Sequence, residues 1–198
     1  MLFAHNLGKR YGARTVFRGL EFTLEAGAVA AVVGANGAGK STLLKVVAGL
    51  TPPSAGSVGW DDGNTAGGLR GRCGLSAPDA PLYRELTTIE NLEFFAGARP
   101  AAWSTARLLA HLDKFQLRAR CDDLAGDLSS GLRARLQLAV AVLHEPPVLL
   151  LDEPSANLDE AGRAIFRGVL EAQRARGVAL VATNDARDVE LCDTSIEL

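Results

Sequence analysis

Cysteine is scarce: Cys73, Cys121 and Cys192 are isolated, odd in number and never in C-x-x-C spacing. That excludes a disulfide framework and a thiolate metal site, and it fits a reducing cytoplasm. No apolar run approaches the ~20 residues of a membrane-spanning helix. The opening MLFAHNLGKRYG lacks the basic start, apolar middle and small-residue cleavage site of an export signal. If the protein acts at a membrane, another chain must provide the path. Neither sign of charge dominates, with 21 Lys and Arg against 23 Asp and Glu and a net charge of -2. Without a basic stripe, no nucleic-acid partner is expected. Repeats and low-complexity tracts are missing too. The 198 residues, 47% hydrophobic and 22% charged, suit one soluble domain with a possible subdomain.

Strand and helix patterns alternate along most of the chain. LEFTLEAGAVAAVVG reads as strands leading to a buried central strand over Val29 to Val33, and STLLKVVAGL after it carries apolar residues at helical spacing. TPPSAGSVGWDDGN, rich in Pro, Gly and Asp, reads as a loop and hairpin connection. From residue 84 to 135 the strand-like runs stop, and apolar residues recur every three to four positions. This predicts a helical insert. LQLAVAVLHEP, PVLLLDEP, DEAGRAIFRGVLEAQRARG and VALVATN then read as helix, buried strand, helix and buried strand. Such alternation favours a parallel sheet covered on both faces, an α/β fold.

Two stretches carry chemistry. GANGAGKST, Gly34 to Thr42, fits G-x-x-x-x-G-K-[ST] between a strand and a helix. Its glycines let backbone N–H groups turn inward, and the helix N-terminus adds partial positive charge where phosphates lie. Asn36, Gly37, Ala38, Gly39 and Thr42 belong to this cradle, Lys40 reaches the β- and γ-phosphates, and Ser41 offers Mg²⁺ its hydroxyl. VLLLDEP delivers Asp152 and Glu153 at the carboxyl end of a buried strand, where a doubly wound sheet binds ligands. One acid can serve the metal and the next can polarise a water. Together these stretches predict a P-loop nucleotide hydrolase with Mg²⁺.

The interval DLSSGLRARLQLAVAVLHEPPVLLLDEPSANLD narrows the reading, because the whole chain resembles the ATP-binding cassette family. Leu128 to Leu132 resemble the family signature, Ser155 to Asp159 its D-loop, and Tyr11 the aromatic residue that stacks on adenine. The resemblance implies a single nucleotide-binding domain over residues 1–198. Residues 1–77 and 136–198 would form the α/β core with an N-terminal antiparallel β portion, and about 78–135 a helical subdomain that carries the signature. It also implies a head-to-tail cassette dimer in which Ser129, Ser130 and Gly131 of one chain close on ATP held by the other. A serine-rich helix start suits that role, since it offers hydroxyl and N–H donors.

Three positions depart from the family pattern. Leu132 stands where the signature commonly has glutamine, and Pro78 where the Q-loop has glutamine, leaving Asp79 as a substitute metal contact. Asn184 stands where a histidine usually meets the γ-phosphate. Its amide can donate a hydrogen bond, but it cannot become cationic near neutral pH. Glu153, Asn184 and Lys40 are thus the expected catalytic set, with slower hydrolysis than usual. The resemblance implies an ATPase on the cytoplasmic face of the cell membrane, coupled to a separate transmembrane permease subunit. The small size resembles exporter cassettes, including the haem-exporter subunit of cytochrome c maturation. Translation-factor cassettes carry two glycine turns, and chromosome-repair ATPases carry a long coiled coil; this chain has neither. A non-hydrolysing nucleotide switch remains the strongest rival.

Overall fold

The computed structural model describes residues 1–61, 69, 71–79, 82–98 and 103–198. Two sheets and six helices organise them. The antiparallel sheet has order β2-β1-β4, formed by β1 (Leu2–Tyr11), β2 (Arg14–Leu24) and β4 (Ala55–Trp60). The second sheet, all parallel, has order β5-β6-β7-β3-β8, from β3 (Val29–Val33), β5 (Cys73–Ser76), β6 (Val148–Asp152), β7 (Val178–Ala182) and β8 (Thr194–Glu197). This is the P-loop α/β fold expected from the alternating patterns, with its N-terminal antiparallel portion.

The apolar runs become central strands because both faces of the parallel sheet are covered. Successive side chains of a strand point to opposite faces. Leu149 and Leu151 of β6 join a core with Leu92, Leu112, Leu136 and Phe166, whereas Val148 and Leu150 join a second core with Leu43, Leu44, Val47 and Trp60. The first lies on the side of α2 (Thr88–Ala96), α3 (Thr105–Lys114), α4 (Ser130–Val142) and α5 (Glu160–Arg174). The second lies between the parallel sheet, α1 (Lys40–Val47) and the antiparallel sheet. A short α6 (Ala186–Val189) follows β7.

Helix starts follow capping chemistry. At α2, Thr87 Oγ1 accepts from Glu90 N at 3.3 Å and Glu90 Oε2 accepts from Thr87 N at 2.7 Å. These bonds hold the Glu90 carboxyl below its ordinary pKa. Ser129 caps α4 and Asp159 caps α5. The hairpin expected over TPPSAGSVGWDDGN lies in part outside the described residues, since residues 62–64 are not described. Strand β4 within that stretch pairs antiparallel with β1, Leu2 opposite Trp60 and Ala4 opposite Val58. A partner some fifty residues away leaves no turn signal in the local sequence.

Candidate nucleotide site

Three neighbouring strands of the parallel sheet, β6, β7 and β3, run in one direction and end on one rim. Their exits carry Glu153, Asn184 and Gly34. Asp152 and Val32 both register with Ala182, so the three exits are level. The rim opens into a cleft of about 420 Å³ lined by Tyr11, Arg14, Val16, the glycine turn with Lys40, Ser41 and Thr42, and the acids Asp152 and Glu153.

The glycine turn is built for backbone donation. Gly37 (φ 81) and Gly39 (φ 112) lie in the left-handed region, and a β-carbon at Gly39 would overlap Val16 Cγ1. Gly39 therefore caps α1 with its backbone pressed against β2. Asn36 and Gly37 are exposed, Ala38 is half-buried, and Ala38 N donates to Ala35 O at 3.0 Å. Lys40 is only 7% exposed. Its Nζ donates to Gly34 O at 2.8 Å, to Ala35 O at 3.5 Å and to Asn184 Oδ1 at 3.0 Å.

Asn184 links the strand exits. Its Nδ2 donates to Asn36 Oδ1 at 2.7 Å and approaches Glu153 Oε1 at 3.4 Å. Its neighbours are pinned: Thr183 Oγ1 and Ser155 Oγ both donate to Asp188 Oδ2, at 3.1 and 2.6 Å, and Asp185 N donates to Thr183 Oγ1 at 3.0 Å. Arg163 pairs with Asp185 at 3.2 Å. Three hydrogen bonds from Arg187, two from its guanidinium and one from its backbone N–H, with Arg163 adding to them, hold the Asp185 carboxyl well below the usual range. A buried network thus ties the stretch after β6 to the stretch after β7. Glu153 has φ 47, a strained value for a residue with a side chain, and its N–H donates to Ala182 O at 2.8 Å. Burial pushes its carboxyl above the ordinary glutamate pKa, opposed by the Asn184 hydrogen bond and the Lys40 charge.

Of the residues singled out in the sequence, Tyr11, Asn36, Gly37, Gly39, Lys40, Ser41, Thr42, Asp152 and Glu153 line this one cleft. Asn184 meets it through Lys40, Asn36 and Glu153. Asp79 lies apart: it is exposed, its Oδ2 holds Lys45 Nζ at 2.6 Å, and it is not among the cleft residues. That partner raises the Lys45 pKa. Ser129 and Ser130 are exposed at the start of α4, also outside the cleft, while Gly131 lies close enough to Asn157 O that a β-carbon would stand 2.9 Å from it. Arg14 and Val16 went unnoticed in the sequence. Only the β1–β2 register, which sets Arg14 opposite Tyr11, brings them to light.

The family model described as ABC transporter matches residues 17–156. The chain belongs to this family. It is 36% identical over 197 residues to the Nod factor export ATP-binding protein I of Burkholderia lata, covering 95% of this chain and 64% of that relative. It is 39% identical over 198 residues to the aliphatic sulfonates import ATP-binding protein SsuB of Albidiferax ferrireducens, covering 98% of this chain and 69% of that relative. The chain thus spans just under two thirds of the Nod factor relative's length. A dimeric ATP-binding cassette solved in a post-hydrolysis state bound to ADP and Pi superposes with a TM-score of 0.87 at 23% identity, over 100% of this chain and 94% of that one. Cassettes of this family bind nucleotide, and the fold here is theirs. Among the described residues no helix is long and apolar enough to cross a membrane.

Proposed function

We propose that this cassette binds and hydrolyses ATP at the cleft above the parallel sheet, and that it drives a separate transmembrane subunit from the cytoplasmic face of the membrane. One observation carries the reading: Lys40, Asn184 and Glu153, from three chain segments, form a single hydrogen-bonded set at one end of a cleft whose other end presents Tyr11. An exposed aromatic ring suits adenine, and a buried ammonium among backbone donors suits the β- and γ-phosphates.

The donor set also fits Mg²⁺. Among the described residues no group of three or more His, Cys, Asp or Glu could cage a metal. The Ser41 hydroxyl and Asp152 beside it suit an ion that keeps several waters and takes phosphate oxygens as ligands. When bound, the ion neutralises charge on the β- and γ-oxygens. Asp79, tied to Lys45, is not needed in that set. In hydrolysis the Glu153 carboxylate accepts a proton from water as the oxygen attacks the γ-phosphorus. The bond to the β-phosphate oxygen breaks, giving ADP and inorganic phosphate. Asn184 Nδ2 can donate to a γ-oxygen while its Oδ1 holds Lys40 in place.

The signature residues complete the site in trans. Ser129, Ser130 and Gly131 crown a capped helix outside their own chain's cleft, which supports their closing on the nucleotide of a second cassette, head to tail. Residues 78–135 then act as a helical subdomain that transmits closure. The transmembrane partner is received on that subdomain, where the exposed rings of Tyr83 and Phe94, 40% and 51% exposed, pack with centroids 4.5 Å apart.

The named relatives include an exporter and an importer, so they lend nothing specific to the haem-exporter likeness and its link to cytochrome c maturation. A second reading, a nucleotide switch without turnover, is favoured by Pro78 and Asn184 in place of the usual glutamine and histidine. Phosphate release by the wild type and Glu153→Gln separates the two. Steady release that the substitution abolishes supports the ATPase; equal rates in both proteins would refute the assigned role of Glu153.

A further inference from the structure

Arg14 is a cation of the nucleotide cleft that the glycine turn, the acidic strand and the signature leave unexplained. It sits directly across the β1–β2 hairpin from Tyr11, and opposed residues on antiparallel strands carry their side chains side by side on one face. Val16, two residues further along β2 at a register shift in the β1–β2 ladder, is pressed against Gly39 of the glycine turn. Tyr11, Arg14 and Val16 line one cleft with that turn, so this end of the hairpin joins the aromatic platform to the phosphate cradle.

Two other cations near Tyr11 are already committed: Lys45 holds Asp79 Oδ2 at 2.6 Å, and Lys9 is held by backbone. Lys9 is 7% exposed, its Nζ donates to Pro52 O at 2.8 Å, and it stands 4.7 Å from the Tyr11 ring centroid. That occupies one face of the ring and leaves the other for a base. Arg14, in contrast, is exposed, and its side chain makes no hydrogen bond or ion pair with any described residue. The acids Asp152 and Glu153 line the same cleft as Lys40. A polyphosphate entering this cleft needs more positive charge than Lys40 supplies, and a guanidinium offers a planar fork of donors matched to phosphate oxygens.

We propose that Arg14 binds the α-phosphate and ribose edge of the nucleotide, between adenine stacked on Tyr11 and the phosphates held by Gly37 to Thr42. The proposal rests on the nucleotide reading above and adds to it a residue that sets affinity for di- and triphosphates alike. Its test is calorimetric titration of Mg-ATP and Mg-ADP into the wild type, Arg14→Gln and Arg14→Lys at low and at high salt. Arg14→Gln is expected to weaken both nucleotides by the same factor, about 5- to 20-fold at low salt. Arg14→Lys should fall between, and the deficit should shrink at high salt. An unchanged thermal midpoint without nucleotide would show that the fold is intact.

Equal affinities in wild type and Arg14→Gln overturn the inference while leaving the nucleotide site standing. A loss confined to ATP also overturns it, because the contact would then be to the γ-phosphate. A wild type that binds neither nucleotide removes the site and this residue's role together.

Discussion

Glu153 combines a strained backbone with a partly desolvated carboxyl, and both follow from standing one residue past a fully buried strand. Its folded-state pKa is raised, so the proton leaves later than from an ordinary glutamate. Turnover that needs the carboxylate is expected to fall as pH drops through that raised value, read from a kcat profile. Linkage runs the opposite way for stability: the folded chain holds this proton more tightly than the unfolded one, so the residue weakens the fold as pH rises through its raised pKa. Glu153→Gln should therefore raise the thermal midpoint at about pH 7, with the gain fading in acid. The same protein should keep ATP binding and lose turnover. For Asn184→Ala, kcat is expected to fall about 10- to 100-fold with ATP affinity changed less than about 3-fold. Equal rates would reduce Asn184 to a strand exit. Asn184→His should add a dependence near the histidine pKa, which the native amide lacks.

At the scale of elements, the contact between β2 and the glycine turn allows little tolerance. Gly39→Ala brings a β-carbon onto Val16 at a φ of 112, so a loss of about 2 kcal/mol or more is expected by urea unfolding, along with nucleotide binding. The junction of α4 and α5 depends on Arg135. Its side chain is 8% exposed and donates to Asp159 Oδ1 at 2.5 Å and to Gln116 Oε1 at 3.0 Å. Asp159 also caps α5 through Gly162 N, and these bonds hold its carboxyl below the ordinary value. Arg135→Ala should cost about 1–3 kcal/mol with an unchanged urea m-value. Because that pair joins the signature helix to the stretch after Glu153, ATP-driven closure should weaken with it.

For the whole molecule, the proposed closure takes place between two copies. Glu153→Gln with Mg-ATP is expected to move from monomer to dimer by light scattering, and Gly131→Asp in that background should prevent it. An added carboxylate at the signature would face a triphosphate and would crowd Asn157 O. A dimer that persists would place the interface elsewhere. Phe94→Asp should reduce recovery of the transmembrane partner from detergent extracts while leaving nucleotide affinity unchanged, since the residue lies outside the cleft.

Local chemistry alone determined the phosphate turn, the acidic strand, the buried strands and the capped helices, because each is written in residues close together in the chain. Strand β4 escaped it: its partner is β1, and pairing over such a separation has no local signature. Asp79 is a metal candidate by its position in the chain, and only folding shows that its carboxylate is held by Lys45. Arg14 could not be singled out among 21 basic residues until the hairpin register set it opposite Tyr11. The sequence also identified Asn184 as the odd residue at its strand's end. Only the tertiary structure decided that its amide joins Lys40, Asn36 and Glu153, since the order β6-β7-β3 brings distant segments to one rim.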